Sequence, residues 1–474
     1  MQDMQTTADN IGASLAKFPM HYSPFYQASR QKISGGADYE EQFSESYLKR
    51  CNLVLNLEAE PFNALVRAAE IIRGNEDLLD WAGFYHYLLY DTHIIRRNPY
   101  GLNFPLPDSS LMGEYRDLFL LLAQISGLYR SVHRYRQLGV NDDIIRATYR
   151  DVSVWMEWHR RHFKRWGFRQ HAWLSHHAHT RVFRLGRLQF VSGSFGPEVE
   201  VFRSKKTGEH LILAQDRAIF SEDGLRLTTA EELSYNEKLQ STSLFNRDRI
   251  LPAGTWMVNH DRENVWLRPD EPAWYTVIQE DGIAVRKQMM IVWDDYEPIL
   301  KQGTPVINIH IPPGSPLLAS EVHESLAEAL KFFAREGHQT SFTAFVSKAW
   351  LLDPQFDIII RRPSNILDYQ DLFHLFPLIR DEQPGLRSIY GPHINRDLPQ
   401  DWPQETSLQR ALLQFRNQGF RHTEGGGYIL RDELIRQYTE EGRLDEDELK
   451  TITNKKAVSD PKESTGAMKH ELSG

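Results

Sequence analysis

The stretch VINIHIPPGSPLLASEVHESLAEALKFFAREG, residues 306–337, runs on into TSFTAFVSKAWLLDP, residues 340–354. It reads as a strand, a stiff turn, a helix and a second strand. That order, with further helices downstream, points to a mixed α/β sheet rather than a sandwich. Side chains alternate across a strand, so Ile307, Ile309 and Ile311 share one face while Val306, Asn308 and His310 share the other. A strand buried on both sides is apolar on both faces. Asn308 and His310 break that rule together: they either meet a polar neighbour in the core or line a cleft. A lone strand histidine is commonly a satisfied core residue, but imidazole titrates near working pH and is suited to general base chemistry.

Pro312, Pro313, Gly314, Ser315 and Pro316 form the turn, and Ser320 is in position to cap a helix whose buried stripe is Val322, Leu326, Leu330 and Phe333. A strand that delivers the chain to a helix N-terminus presents unpaired N–H groups and a positive dipole end, a receptor for pyrophosphate or carboxylate. Gly314, Ser315 and Ser320 are the candidate contacts there, although three prolines in the turn supply no amide donor. Downstream, Ser364 is expected to cap a helix from Asn365 to Phe376 that carries Tyr369 and His374. Thr406 and Gln409 form a capping box for Ser407 to Gln418, with Gly419 as C-cap. Gly425, Gly426 and Gly427 read as a turn into a last strand at Tyr428 to Leu430.

Upstream, residues 50–168 are helical in pattern. Phe62, Leu65, Val66, Ala69 and Ile72 lie on one face of a 3.6-residue period, with similar stripes at Leu78–Tyr90, Leu118–Tyr135 and Asp142–Trp166. From Val182 the texture changes to strand. VFRLGRLQF alternates loosely with Gly186 as a bulge, and strands are expected at Glu198–Arg203, His210–Leu213, Trp256–Asn259, Trp274–Ile278, Ala284–Val292, Pro305–Ile311 and Phe342–Trp350. The fold class is therefore α+β: an all-helical N-terminal domain, then a mixed α/β domain with a β-rich first half. The residues after about Asp445 are polar and point to a frayed tail.

The 474 residues allow two or three folding units, and 55 basic against 64 acidic residues give a net charge of −9. That balance disfavours nucleic acid as a partner. The single cysteine, Cys51, rules out an intramolecular disulfide, a cysteine-rich zinc site and an iron–sulfur cluster on the chain's own thiolates. It fits a reducing compartment, and a cytoplasmic location is expected. No apolar run approaches the length of a membrane helix, and the first twenty residues have no signal-peptide pattern.

His171, His176, His177 and His179 crowd nine residues, but their spacing matches neither H-E-x-x-H nor a zinc finger, so a polar interdomain connector is expected and no metal. A metal-dependent hydrolase built on them is a distant third reading. The basic and aromatic stretch Trp155–Arg169 places its aromatics on a helical core stripe and leaves Arg160, Arg161, Lys164 and Arg165 for a solvated or interdomain face. No P-loop, G-x-S-x-G elbow or G-x-G-x-x-G fingerprint is present.

The phrases GVNDDIIRATYRDVSVWMEWHRRHFKRWG, RVFRLGRLQF, INIHIPPGSPL, FVSKAWLLDP, SNILDYQDLF, TSLQRAL and GGGYIL, in this order, resemble the acyltransferase-domain proteins of bacteria. These join a helical N-acyltransferase N-terminal domain to a GNAT-like C-terminal domain. The resemblance, over residues 50–435, implies an N-terminal extension at 1–49, the helical domain at 50–168, the GNAT-like domain at 169–440 and a polar tail at 441–474. It implies transfer of an acyl group from acyl-CoA or acetyl-CoA to an amine of a small-molecule acceptor. In such enzymes a base deprotonates the amine, a backbone N–H on a splayed central strand polarises the thioester, and an acid, often tyrosine, protonates the thiolate. Val306–Ile311 would be that central strand, Leu318–Gly337 the helix after it and Phe342–Trp350 the partner strand. His310 and Asn308 would then sit near the acyl group, with Tyr369 as the acid and Gly314, Ser315 and Ser320 near the coenzyme. The sequence departs from the pattern at the Q/R-x-x-G-x-G/A turn, where it has PPGSP. The nearest match, Arg416 to Arg421, fails at its last position and lies at a helix end. A non-catalytic metabolite- or glycan-binding or regulatory protein on the same scaffold is the alternative.

Overall fold

The computed structural model describes residues 26–29, 39–92, 105–228, 231, 255–258, 272–335 and 341–453. Its first part is helical: α1 (Glu45–Leu55), α2 (Ala59–Arg73), α3 (Glu76–Tyr90), α4 (Ser109–Met112), α5 (Phe119–Ile125), α6 (Leu128–Gln137), α7 (Asp142–Tyr149), α8 (Asp151–Phe163) and α9 (His171–Ala178). The expected boundary at residue 50 falls inside α1, and α9 extends the helical part to Ala178. The stripe from Asp142 to Trp166 is two helices rather than one. At their junction the Thr148 carbonyl accepts from His177 Nε2 at 3.2 Å, and the Thr148 hydroxyl accepts from the Arg184 amide at 3.0 Å. These tertiary bonds divide what periodicity alone would join. No helix among the described residues is long and apolar enough to cross a membrane.

The second part contains β1 (Val182–Leu185), β2 (Leu188–Ser194), β3 (Val199–Ser204), β4 (His210–Ala214), β5 (Ile219–Phe220), β6 (Trp256–Met257), β7 (Ala273–Ile278), β8 (Ala284–Met289), β9 (Tyr296–Leu300) and β10 (Pro305–His310). Then follow α10 (Ala319–Ala334), β11 (Ala344–Ala349), α11 (Phe356–Ile359), α12 (Asn365–Gln370), β12 (His374–Pro377), α13 (Gln383–Tyr390), α14 (Ser407–Asn417), β13 (Gly425–Leu430), α15 (Arg431–Glu440) and α16 (Glu446–Thr453). A six-stranded sheet has the order β1-β2-β10-β11-β13-β12, a five-stranded sheet the order β8-β7-β4-β3-β9, and β5 pairs with β6. Among the described residues β10 and β11 are the one parallel pair, as a helical crossover through α10 requires.

The two faces of the six-stranded sheet have different neighbours. Ile307, Ile309, Phe190 and Phe345 share a core with Leu326, Leu330 and Phe333 of α10 and with the N-terminal helices. Val306, Ala344, Val346 and Tyr428 pack on Val199, Val201, Ile212 and Leu300 of the second sheet.

Several expectations are corrected. Gly186, with φ +61, is in the two-residue turn between β1 and β2 and is not a bulge. The helix after Ser364 stops at Gln370, because residues 374–377 are drawn into β12 by pairing with β13. Gly425, Gly426 and Gly427 are inside that strand, not in a turn before it. Their missing side chains let Phe376 and Phe373 lie close against Gly426 and Gly427, and the Leu352 carbonyl approach Gly425. β9 was not expected, since YEPIL shows no alternation. Asn259 and Gly337, ends of two expected elements, lie outside the described residues. The polar segment after Asp445 is helical through Thr453: Asp445 and Glu448 cap each other's backbone amides, Lys331 pairs with Glu448 at 2.6 Å, and Ile452 is buried.

One prediction arises here. Replacing Gly426 by alanine drives a methyl group into the Phe376 ring, itself fully buried, so one strand must shift. A loss of about 1–3 kcal/mol is expected, read as a lower melting temperature than that of the parent chain.

Candidate active site

The parallel pairing of the central strands runs from Val306 opposite Ala344 to Ile309 opposite Ser347 and stops there. His310 still pairs outward with Gln189 of β2, and Lys348 and Ala349 still pair outward with Gly426 and Gly425 of β13. The strands therefore part at their C-terminal ends, and each keeps only its outer neighbour. At this opening His310 and Asn308 stand on the face of Val306, as alternation requires. Both are half-buried. The Asn308 side chain makes no hydrogen bond among the described residues, and its amide lies over Gly193, where a Cβ would sit 2.5 Å from Nδ2. The His310 ring packs on Trp173 with centroids 4.3 Å apart, and neither of its nitrogens is sealed from solvent. Burial first, then the nearby charges of His176 and Lys348, pull its pKa down to about 4. The imidazole is thus neutral at ordinary pH.

What fixes Trp173 is a buried carboxylate. Asp151, at the start of α8, accepts through Oδ2 from Trp173 Nε1 at 2.8 Å, from Gln189 Nε2 at 2.7 Å and from His177 Nε2 at 3.1 Å. Burial alone would raise the Asp151 pKa; the hydrogen bonds from His177, Gln189 and Trp173 outweigh it and hold the group below the usual carboxylate range. One oxygen thereby joins α8, α9 and β2, the last being the outer neighbour of His310.

Tyr369 lies on the other face of the sheet. It is buried in the core with Ile309, and its hydroxyl donates to Ser347 Oγ at 3.2 Å. Ser347 is the last residue of β11 paired with β10, so the phenol is buried beneath the end of that pairing. Burial raises the Tyr369 pKa well above the ordinary phenol value.

The turn after β10 is held from beneath by Arg187. Its guanidinium, buried in the β1–β2 turn, donates to the carbonyls of Pro312 and Ser315, both at 2.8 Å, and its backbone amide donates to Ser325 Oγ of α10. Ser315 is therefore engaged through its carbonyl. The structure corrects the role of Ser320: the N-cap position is Leu318, no side chain caps α10, and Ser320 is within the first helical turn. The amides of that turn have no intrahelical partner. Beside the turn, Pro313 and Gly314 form one wall of a cleft of about 760 Å³, whose other walls include Arg146 of α7, Arg150 between α7 and α8, and Arg161 of α8. Arg146 is paired with Asp143; the Arg150 and Arg161 side chains have no acidic partner among the described residues.

His310 and Asn308, singled out in the sequence, stand on one face of β10; Tyr369 is buried on the opposite face, bonded to Ser347. Asp151, Trp173, Gln189 and Arg187 were missed. The signal was there in part, since Arg187 and Gln189 interrupt RLGRLQF. Three of the clustered histidines are on helix α9 and His179 follows it; His177 serves Asp151 and His171 Nδ1 meets Gln124 Oε1 at 3.0 Å, and among the described residues these rings do not converge on one point. In the basic stretch, Arg160 pairs with Glu60 and Arg165 with Asp117.

Comparison with known proteins gives the family and the fold. A family model described as N-acyltransferase N-terminal domain matches residues 47–180, and one described as GNAT-like C-terminal domain matches residues 182–429. No curated protein matches the chain. Two solved structures share the fold over 81% of this chain and 88% of theirs: an acyltransferase mutant in complex with octanoyl-CoA, at 17% identity and TM-score 0.53, and an acyltransferase in complex with decanoyl-CoA and teicoplanin, at 18% identity and TM-score 0.52. With the second of those family models spanning more than half of its length, the chain belongs to the family of GNAT-like C-terminal domain proteins, here preceded by an N-acyltransferase N-terminal domain.

Proposed function

We propose that this protein is an acyl-CoA-dependent N-acyltransferase that moves an acyl group to an amine of a small-molecule acceptor. The observation that carries this reading is the parting of β10 from β11 beyond Ile309 and Ser347, with a half-buried, neutral imidazole on one face and a protonated phenol on the other. A thioester set in that opening meets backbone groups that have lost their sheet partner and are free to polarise its carbonyl. As the amine nitrogen bonds to the carbonyl carbon, His310 takes its proton; as the C–S bond breaks, Tyr369 gives a proton to the thiolate. Asn308 orients the acyl carbonyl or the amine.

For the coenzyme, the residues on the turn side fit its charge. The uncapped amides of α10, including that of Ser320, with Gly314 and Ser315 before them, offer donors to the pyrophosphate. Arg150 and Arg161 in the adjoining cleft supply positive charge without an acidic partner. Octanoyl- and decanoyl-CoA are the first donors to try, because the similar structures hold them. Teicoplanin, held by one of them, makes bulky glycopeptide amines reasonable first acceptors. The buried Cys51, whose thiol burial pushes up to about 12, takes no part, and a cytoplasmic setting fits it.

Thermal unfolding with a panel of CoA, acetyl-, octanoyl- and decanoyl-CoA tests the reading. A donor at about 100 times its Kd stabilises the fold by about 2.7 kcal/mol, a rise of a few degrees. Reversing charge at Arg150 and Arg161 together is expected to weaken the response to every CoA compound alike. If no member of the panel shifts the transition at millimolar concentration, the reading fails.

A further inference from the structure

We propose that His210, His374 and Glu433 form a binding site for a divalent transition metal of the zinc class, separate from the acyl-transfer opening. The three come from different parts of the fold. His210 is on β4 of the five-stranded sheet, His374 on β12 at the edge of the six-stranded sheet, and Glu433 in the first turn of α15. No spacing in the sequence announces them, since 164 and 59 positions separate them along the chain. Only the packing of one sheet on the other brings them together.

Their donor atoms all lie within 4.8 Å of one another. His210 Nε2 is 3.0 Å from Glu433 Oε1, and His374 Nε2 is 3.7 Å from Glu433 Oε2. Two donors each about 2.0–2.1 Å from a tetrahedral zinc ion stand about 3.3 Å apart, so the observed spacings bracket what zinc needs. The first distance suits a simple hydrogen bond; the second does not, and leaves His374 Nε2 aimed at a carboxylate it fails to reach. A cation between them resolves that mismatch. Two imidazoles and a carboxylate are a donor set that zinc favours.

The surroundings support ligation. Tyr428, fully buried, places its hydroxyl 2.9 Å from His210 Nδ1, so it fixes the ring by accepting from Nδ1–H and turns Nε2 toward the site. The two imidazole rings lie with centroids 4.3 Å apart, and Arg203 anchors the neighbouring Asp432 at 2.7 Å, which steadies the start of α15. Side chains of His374 and Glu433 are 43% and 29% exposed, which gives an ion a route in and a fourth position for water. β12 is separated from β11 by β13, so the site is at the far edge of the sheet from His310. Its effect is to clamp the two sheets and α15 together.

The test uses the full chain, stripped of metal by a chelator and carrying no affinity tag. Added Co²⁺ is expected to develop the visible absorption of tetrahedral cobalt, Zn²⁺ to abolish it, and Zn²⁺ alone to raise the melting temperature. His374→Ala and Glu433→Gln are each expected to weaken Zn²⁺ binding at least tenfold, whereas His133→Ala, at an exposed histidine on α6, leaves it unchanged. Should Glu433→Gln fail to fold, His374→Ala on the half-exposed edge strand carries the test. Absence of the cobalt spectrum, or Zn²⁺ affinity untouched by His374→Ala, overturns the site. Neither outcome bears on acyl-CoA binding, so this proposal and the transferase reading fail separately.

Discussion

Replacing His310 with alanine is expected to slow acyl transfer by about 10²–10⁴-fold, the span that a positioned general base contributes, while the thermal response to acyl-CoA persists. The expectation follows from where the ring stands. It is at the first residue of β10 beyond the parallel pairing with β11, its ring is half-buried, and it packs on the Trp173 ring. Removing it costs a single aromatic contact, about 1 kcal/mol, so the variant folds and the loss is catalytic rather than global. The pH profile adds a second readout. Because burial pulls the His310 pKa down to about 4, the base is already unprotonated well below neutrality. With an aryl amine acceptor that does not itself titrate above pH 5, kcat/KM is expected to be level from about pH 5.5 to 7.5 and to fall only toward pH 4. A variant with parent-like kcat, or a profile with its acidic limb near the ordinary histidine value of about 6.5, rejects this assignment of the base.

The alternation of polar and apolar residues in VINIH was enough to set Asn308 and His310 on one face, and the strand–helix–strand order was enough for the β10–α10–β11 crossover. Local patterning could do this because both signals are short-range: period two in a strand and a stripe in the helix. Three things were not legible. The division of 142–166 into two helices depends on Thr148 and His177 bonding across about thirty residues. The glycines of β13 read as a turn because nothing local says that Phe373 and Phe376 will lie on them. The function of Asp151 was hidden for the same reason, since an acid at a helix start normally faces solvent and interacts with the helix dipole. Here it faces inward, and only the arrival of α9 and β2 gives it partners. Tyr369 stands out in the sequence as a polar tip on the helix after Ser364, and its role as the acid comes from the family resemblance; its neighbours in sequence do not predict Ser347 as its partner.

That same carboxylate is where the largest loss of stability is expected. Asp151→Ala takes the shared oxygen from Trp173 Nε1, Gln189 Nε2 and His177 Nε2, of which only the last keeps another acceptor, the Thr148 carbonyl. Unmaking a buried charged network of this kind costs about 3–5 kcal/mol, whereas the intact network need not be worth that much over an apolar replacement. The pH dependence has a definite sign. The folded-state pKa of Asp151 lies below its unfolded value, so the folded protein binds fewer protons and the ionised form is the stabilising one. Its contribution is complete above the unfolded carboxylate value of about 3.9 and is lost as pH falls through the lower folded value. The gap in melting temperature between parent and Asp151→Ala is therefore expected to be constant from pH 6 to 8 and to close progressively below about pH 4. Asp151→Asn, which keeps the shape and one accepting oxygen, is expected to fall between the two. Because Trp173 is freed when Asp151 goes, the alanine variant is also expected to lose turnover at temperatures where it remains folded, with KM for the acyl donor little changed. Asp151 acts there as a positioning residue through Trp173 on His310. A variant that melts with the parent at pH 7, or a gap that widens on acidification, is incompatible with a shared, ionised carboxylate joining the helical part to the sheet.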